Sequence, residues 1–190
     1  MILMKDIIRE GHPTLTAIAK EVKLPLSKAD KKLLNDLMEY VKNSQDEEIA
    51  ETYGLRAAVG IAAPQVGVSK RMFVIHVHDF DGILYSHALI NPVIKEKSQD
   101  LIYVPGGEGC LSVDRETVGL TPRYQSVVME AYRYDIPSDD VMKVELHLEG
   151  YVGIVFQHEL DHLDGILFTT KLFPELKNAK PAFQLLEDNA

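Results

Sequence analysis

Apolar residues recur at helical spacing after Ser27, with Leu33, Leu34, Leu37, Met38 and Val41 on one face. Ser27 followed by Asp30 has the form of a helix start. The stripe predicts a helix packed on a core, and its apolar residues need no ligand role. Residues 44–51 are polar and acidic and read as a loop or frayed helix end. Residues 72–77 are short and β-rich, which predicts a strand. A second strand is predicted over 84–90, with Asp81-Gly82 as the turn before it and Asn91-Pro92 closing it. Two more are predicted over 126–134 and 141–148, joined by a turn holding Pro137, Ser138, Asp139 and Asp140. In the last of these, Val144, Leu146 and Leu148 alternate with Glu145, His147 and Glu149, the period of a half-buried strand.

A second helix-like stretch covers 151–168 and is strongly apolar, with Val152, Ile154, Val155, Leu160, Leu163 and Ile166. Gly165 allows it to end in a left-handed turn. The tail over 171–190 contains Pro174 and Pro181, which predicts no long terminal helix. A helix, several strands and then another helix predict an α+β fold rather than a repeated βαβ pattern. The expected architecture is antiparallel β-sheets packed around a central helix, with an N-terminal helix, in a single domain over 1–190.

The chain has 190 residues, 46% of them hydrophobic, enough for one proper core. No apolar run approaches the roughly 18 residues needed to span a membrane. The opening Met1-Ile2-Leu3-Met4-Lys5-Asp6 lacks the basic and apolar regions of a signal peptide, so a cytoplasmic location is expected. The formal net charge of −9 and the absence of a basic stripe argue against direct nucleic-acid recognition. The single cysteine, Cys110, excludes an internal disulfide framework.

The second helix carries the most specific chemistry. Gln157-His158-Glu159-Leu160-Asp161-His162 contains H-E-x-x-H. Residues four apart share a helix face, so His158 and His162 can hold one metal ion. Glu159 lies beside the first ligand, where a carboxylate can take a proton from metal-bound water. Metal-assisted hydrolysis is therefore the first functional reading. A catalytic site of this type wants a third protein ligand. No histidine follows the motif, and Asp164 lies two residues past His162, on another face. Cys110 is the better candidate, in a loop where Gly106, Gly107 and Gly109 permit close backbone approach. A third segment, residues 59–67, is rich in small residues and carries Gln65, able to donate an N–H to a carbonyl oxygen.

Together the three segments resemble the peptide deformylase family. Its pattern is a G-x-A-A-P-Q loop, an E-G-C-L-S loop and H-E-x-x-H, in that order. Here they stand as Gly60-Ile61-Ala62-Ala63-Pro64-Gln65, Glu108-Gly109-Cys110-Leu111-Ser112 and His158-Glu159-Leu160-Asp161-His162. Ile61 replaces the leucine usual at its position. The opening Asp6-Ile7-Ile8-Arg9-Glu10-Gly11-His12-Pro13-Thr14-Leu15 also looks like the family's start. The insert over 46–56 and the tail look like the longer form found in many Gram-positive bacteria. The tail lacks the long basic C-terminal helix of the other bacterial form.

The resemblance implies removal of the formyl group from the N-terminal formyl-methionine of newly made polypeptides, releasing formate. It implies one divalent ion, natively Fe(II), on Cys110, His158 and His162, with zinc, nickel or cobalt as substitutes in purified protein. Glu159 would be the general acid and base, and the Gln65 side chain and Leu111 backbone N–H would stabilise the oxyanion. Tyr151, Ile154 and Val155 would line a methionine pocket, the Gly60 and Ile61 backbone groups would pair with the peptide, and Gly109 would also bind substrate. Glu108 and Arg123 would form an ion pair ordering the cysteine loop; a surface pair would be worth only about 0–1 kcal/mol. The expected partners are N-formylmethionyl nascent peptides and a transient ribosome contact, not through such a C-terminal helix, with no membrane contact and a monomeric state. Two other readings stay open on the residues alone: a zinc endopeptidase, which wants a third His or Glu ligand, and a structural metal site, which wants a fourth ligand from among His76, His78, His87 or His147.

Overall fold

In the computed structural model, which describes residues 1–184, the Ser27 hydroxyl accepts the Asp30 N–H at 3.1 Å and starts α1 (Lys28–Ser44). Leu34, Leu37, Met38 and Val41 are buried along α1, with Leu33 partly buried at the margin. The polar stretch after α1 departs from the expected loop. Asp46 accepts the Ile49 N–H at 3.0 Å and caps a short helix, α2 (Glu47–Tyr53), which ends at left-handed Gly54. None of its residues is buried, so it leaves no apolar periodicity to read.

Five strands form the main sheet: β1 (Gly60–Ala62), β2 (Met72–His78), β3 (Leu84–Lys97), β6 (Ser126–Asp135) and β7 (Asp140–Glu149). Their order is β1-β2-β3-β6-β7, every pair antiparallel. A smaller sheet orders β5 (Arg123–Tyr124), β4 (Leu101–Tyr103) and β8 (Ala179–Pro181), with β4 and β8 parallel. Elements of two or three residues carry no period, which is why the pattern did not predict them.

β3 also runs beyond its predicted end at Asn91-Pro92. Asn91 adopts φ 50°, and the register against β6 shifts between Ile90 and Val93, so a bulge absorbs the proline. The Asn91 side chain then takes the place of a strand neighbour. It accepts the Val22 N–H at 2.8 Å and donates to the Val22 carbonyl at 2.9 Å.

Both faces of the sheet are covered. Met72, Val74, Ala88 and Ile90 join the core beneath α1, while Phe73, Ile75, Val77 and Leu89 pack toward α3 (Gly150–Leu163). Burial on both faces explains why β2 reads as a continuous apolar run rather than an alternation. α3 starts directly after β7 and is buried along most of its length against β1, β2 and β5. It ends five residues before the predicted Phe168. Gly165 has φ 71°, and a Cβ there would lie 2.7 Å from the Thr16 carbonyl carbon. The left-handed turn and the close pass of another segment stop the helix together. The tail forms a 3-10 turn (Phe168–Lys171) and β8, in line with the expected lack of a long helix; the part of that expectation over 185–190 lies outside the described residues. Among the described residues no helix is long and apolar enough to cross a membrane.

Candidate active site

α3 aims His158 and His162 from one face, their ring centroids 5.0 Å apart. The loop between β4 and β5 brings Cys110 to them, and one ligand atom from each of the three residues falls within 4.8 Å of the others. Cys110 Sγ lies 3.4 Å from His162 Nε2. The His158 Nδ1–H donates to Glu108 Oε2 at 2.7 Å, which leaves Nε2 as the ligand atom. The donor set of one sulfur and two imidazoles suits zinc or ferrous iron. Electrostatics favour a cation here as well. Burial works against a charge on His158, but the Cys110 sulfur and Glu108 outweigh it and push its pKa up to about 10. Burial, reinforced by His158 and Arg123, holds His162 well below its usual value, so its lone pair is free to ligate. These residues fit a divalent metal ion.

Behind the ligands lies a buried charge network. Arg123 donates to both Glu108 oxygens at 2.8 Å and to Asp161 at 2.5 Å. The Arg123 and Glu108 side chains are 3% and 5% exposed, so this is no surface pair. Burial raises the Glu108 pKa, yet hydrogen bonds from Arg123 and His158 win and hold it at about 2. Lys171 completes the array at 3.0 Å from Asp161. Asp161 stands inside the H-E-x-x-H motif, and only the fold reveals its partner.

Glu159 is 4% exposed, and burial pushes its pKa up to about 7 against the pull of His158 and Arg123. Its Oε2 is buried with no hydrogen-bond partner, and so is His162 Nδ1. Gln65 is fixed from behind: its Oε1 accepts the Ala62 N–H at 2.9 Å, and its Nε2 points at Cys110 Sγ at 3.5 Å and Ser112 Oγ at 3.3 Å. The N-terminal segment ties the two loops together, with Ile8 N–H bonded to the Gln65 carbonyl and Glu10 N–H to the Ser112 carbonyl, both at 2.8 Å.

A cavity of about 410 Å³ opens beside these groups. Gly60, Gln65, Glu108, Gly109, Cys110, Leu111, Tyr151, Ile154, Val155, His158 and Glu159 all line it. His162 and Arg123 do not line it, being 1% and 4% exposed, and neither does Ile61, whose side chain is fully buried in the core beneath α1 while its backbone, the part expected to meet the peptide, lies on the edge strand β1. Two residues gain a place that the sequence did not suggest. Arg56 reaches the Cys110 carbonyl at 3.1 Å and Asp114 at 2.9 Å, bracing the cysteine loop. Gln45 donates to the carbonyls of Ala58 at 2.8 Å and His76 at 2.7 Å, bracing the chain leading into β1. Neither stands in a motif, so no local pattern marks them. Outside the site, His76 bonds Ser86, His87 packs near Phe156 and His147 meets Glu145, and the metal-ligating group among the described residues holds none of them. That group contains neither a third histidine nor a glutamate, so both readings left open by the residues lose their extra ligand.

The sequence pattern of the polypeptide deformylase family matches residues 4–178. A peptide deformylase of Oceanobacillus iheyensis is 50% identical over 190 residues, covering 100% of this chain and 98% of that one. Among solved structures, the peptide deformylase of Thermus thermophilus superposes with a TM-score of 0.68 at 32% identity, covering 91% of this chain and 87% of that one. A Met-Ala-Ser-bound class I type b peptide deformylase from Acinetobacter baumannii gives 0.66 at 28% identity, covering 87% and 96%. Family pattern, full-length relatives and fold agree: the chain belongs to the peptide deformylase family.

Proposed function

We propose that this chain removes the formyl group from N-formylmethionyl peptides with one divalent metal ion, natively Fe(II), held by Cys110, His158 and His162. The observation that carries the proposal is the meeting of these three ligand atoms beside the buried, half-unpartnered carboxylate of Glu159. An ion bound there would acidify a water and polarise the formyl oxygen. Zinc, nickel or cobalt would fit the same donors.

The chain's own residues supply the rest. Glu159, with its pKa near neutrality, accepts the proton of the attacking water and returns it to the leaving amine. The Gln65 amide and the Leu111 N–H donate to the oxygen as it gains charge; one such donor is typically worth about 3 kcal/mol. Glu108 holds His158 in the tautomer that presents Nε2, and Arg123 holds Glu108. Ile154, Val155 and Tyr151 offer the apolar wall for methionine. Gly60 and Ile61 on the open edge of β1, with Gly109 opposite, offer backbone groups to an extended peptide. That the Acinetobacter protein binds Met-Ala-Ser supports a peptide as the ligand. In this reading residues 1–190 work as one catalytic domain, a cytoplasmic monomer meeting nascent chains with transient ribosome contact.

The test is formate release from formyl-Met-Ala-Ser by protein prepared without oxygen and loaded with Fe(II), alongside Cys110→Ala. Release that disappears with the cysteine supports both the reaction and the third ligand. No release from protein carrying one ion per chain overturns the proposal.

A further inference from the structure

Beyond the catalytic cavity, three aromatic rings meet on the surface. Phe80 comes from the turn between β2 and β3, Tyr151 from the first turn of α3 and Phe183 from the segment after β8. Ring centroids are 4.8 Å apart for Phe80 and Phe183, 5.7 Å for Tyr151 and Phe183, and 5.8 Å for Phe80 and Tyr151. Phe80 nevertheless remains 68% exposed, and its neighbours Ile83 and Leu84 are 56% and 45% exposed. The turn that carries them is held in shape, since Asp79 Oδ1 accepts the N–H groups of Asp81 and Ile83 at 3.0 and 2.8 Å. Contiguous exposed apolar groups, as Phe80, Ile83 and Leu84 are here, mark interaction surfaces.

The trio is continuous with the cavity, because Tyr151 belongs to both. It also lies in the direction an extended peptide must take. β1 runs antiparallel to β2, with Gly60 opposite Ile75. From Ile75 the strand runs three residues to its end at His78, about 10 Å at about 3.3 Å per residue, and the turn that follows carries Phe80. From His158 back to Tyr151 α3 descends seven residues, about 10 Å at about 1.5 Å per residue. Both elements therefore lead from the catalytic groups to the same aromatic surface.

Building on the proposed deformylation, we infer that Phe80, Tyr151 and Phe183 form a distal subsite for an apolar or aromatic side chain of the substrate polypeptide. At about 3.3 Å per residue, a chain whose first residue sits beside Glu159 reaches the trio with its third to fifth residues. The rings offer a face for stacking, and the open edge of β1 keeps the intervening backbone extended.

The test compares formyl-Met-Ala-Ser-Ala-Ser with peptides carrying phenylalanine at the third, fourth or fifth position. One phenylalanine position should raise kcat/KM, through KM, on the order of three- to tenfold, the size of one aromatic contact. Phe80→Ser should abolish the gain, and Phe80→Leu should restore part of it. No gain at any position, or a gain that survives in Phe80→Ser, overturns the inference. Equal rates for all peptides, with a mass that rises with concentration and falls in Phe80→Ser, would assign the patch to self-association instead. Failure on formyl-Met-Ala-Ser itself would be a failure of the proposed reaction, and this inference would fall with it.

Discussion

Gly60 and Glu159 are in such close approach that a Cβ on residue 60 would lie 2.8 Å from Glu159 Oε1. The same Cβ would lie 2.8 Å from Ile75 Cδ1, so the ends of both side chains would have to move to admit it. The glycine of the edge strand thus sets where the carboxylate of the helix can sit. Gly60→Ala should displace Glu159, lower kcat/KM by about tenfold or more, and cost about 1–3 kcal/mol in stability from overpacking. Wild-type kinetics with an unchanged Tm would show that the site relaxes around the methyl group.

Glu159→Gln keeps the shape of the side chain and removes its ability to take a proton. The proposed metal donors Cys110, His158 and His162 are untouched. Elemental analysis should find the same ion content as wild type, while kcat falls by about 100- to 10,000-fold. Near-normal turnover would remove Glu159 from proton transfer.

Among the described residues, Arg123 is the one cation contacting both Glu108 and Asp161 from a fully buried position. Arg123→Ala would leave Glu108 buried without its main counter-charge. A loss of about 3–5 kcal/mol is expected in denaturant unfolding. Glu108→Gln is milder in charge but loosens His158, and metal affinity should fall about 10- to 100-fold in a competition titration. Unchanged affinity would mean that His158 is oriented by its packing alone.

Asp30 provides a pH signature remote from the site. Burial raises its pKa, but hydrogen bonds from Lys70 and Ser27 outweigh burial and leave it below its usual 3.8. A carboxylate lowered in the folded state contributes stability above its unfolded value and loses it as pH falls through the folded value. Asp30→Asn should therefore be less stable than wild type by about 1–2 kcal/mol at pH 7, with the gap closing as the pH falls below the usual carboxylate range. A gap independent of pH would assign the effect to packing.

The resemblance to deformylases rested on three short segments whose residue types are dictated by chemistry, and these could be read directly. Cys110, His158 and His162 are residue types able to ligate a metal, and their order along the chain, with the histidines four apart as on one helix face, can be read without the fold. α1 and the long strands were legible for a similar reason: each buries a face, and burial writes a period into the sequence. α2 fully buries no residue and only Ile49 and Ala50 touch the core, too few to write one. β4, β5 and β8 are too short to carry one, and the bulge at Asn91 hid the second half of β3 behind a proline.

What the tertiary structure alone decided is how distant residues divide the work. Glu108 and Arg123 were suspected as partners, but their burial, the grip of Glu108 on His158 and the entry of Asp161 depend on the β4–β5 loop packing against α3. Gln45 acts through backbone carbonyls, acceptors that every residue carries, and Arg56 through such a carbonyl and Asp114 far along the chain, so neither pairing leaves a local mark on the sequence. Ile61, expected to offer its backbone to the peptide, turns its side chain into the core because β1 alternates and Gly60 takes the face toward Glu159. Local sequence determined which groups can do the chemistry, because reactivity and spacing are local properties. Which of them meet, how dry they are and what braces them was decided by long-range packing.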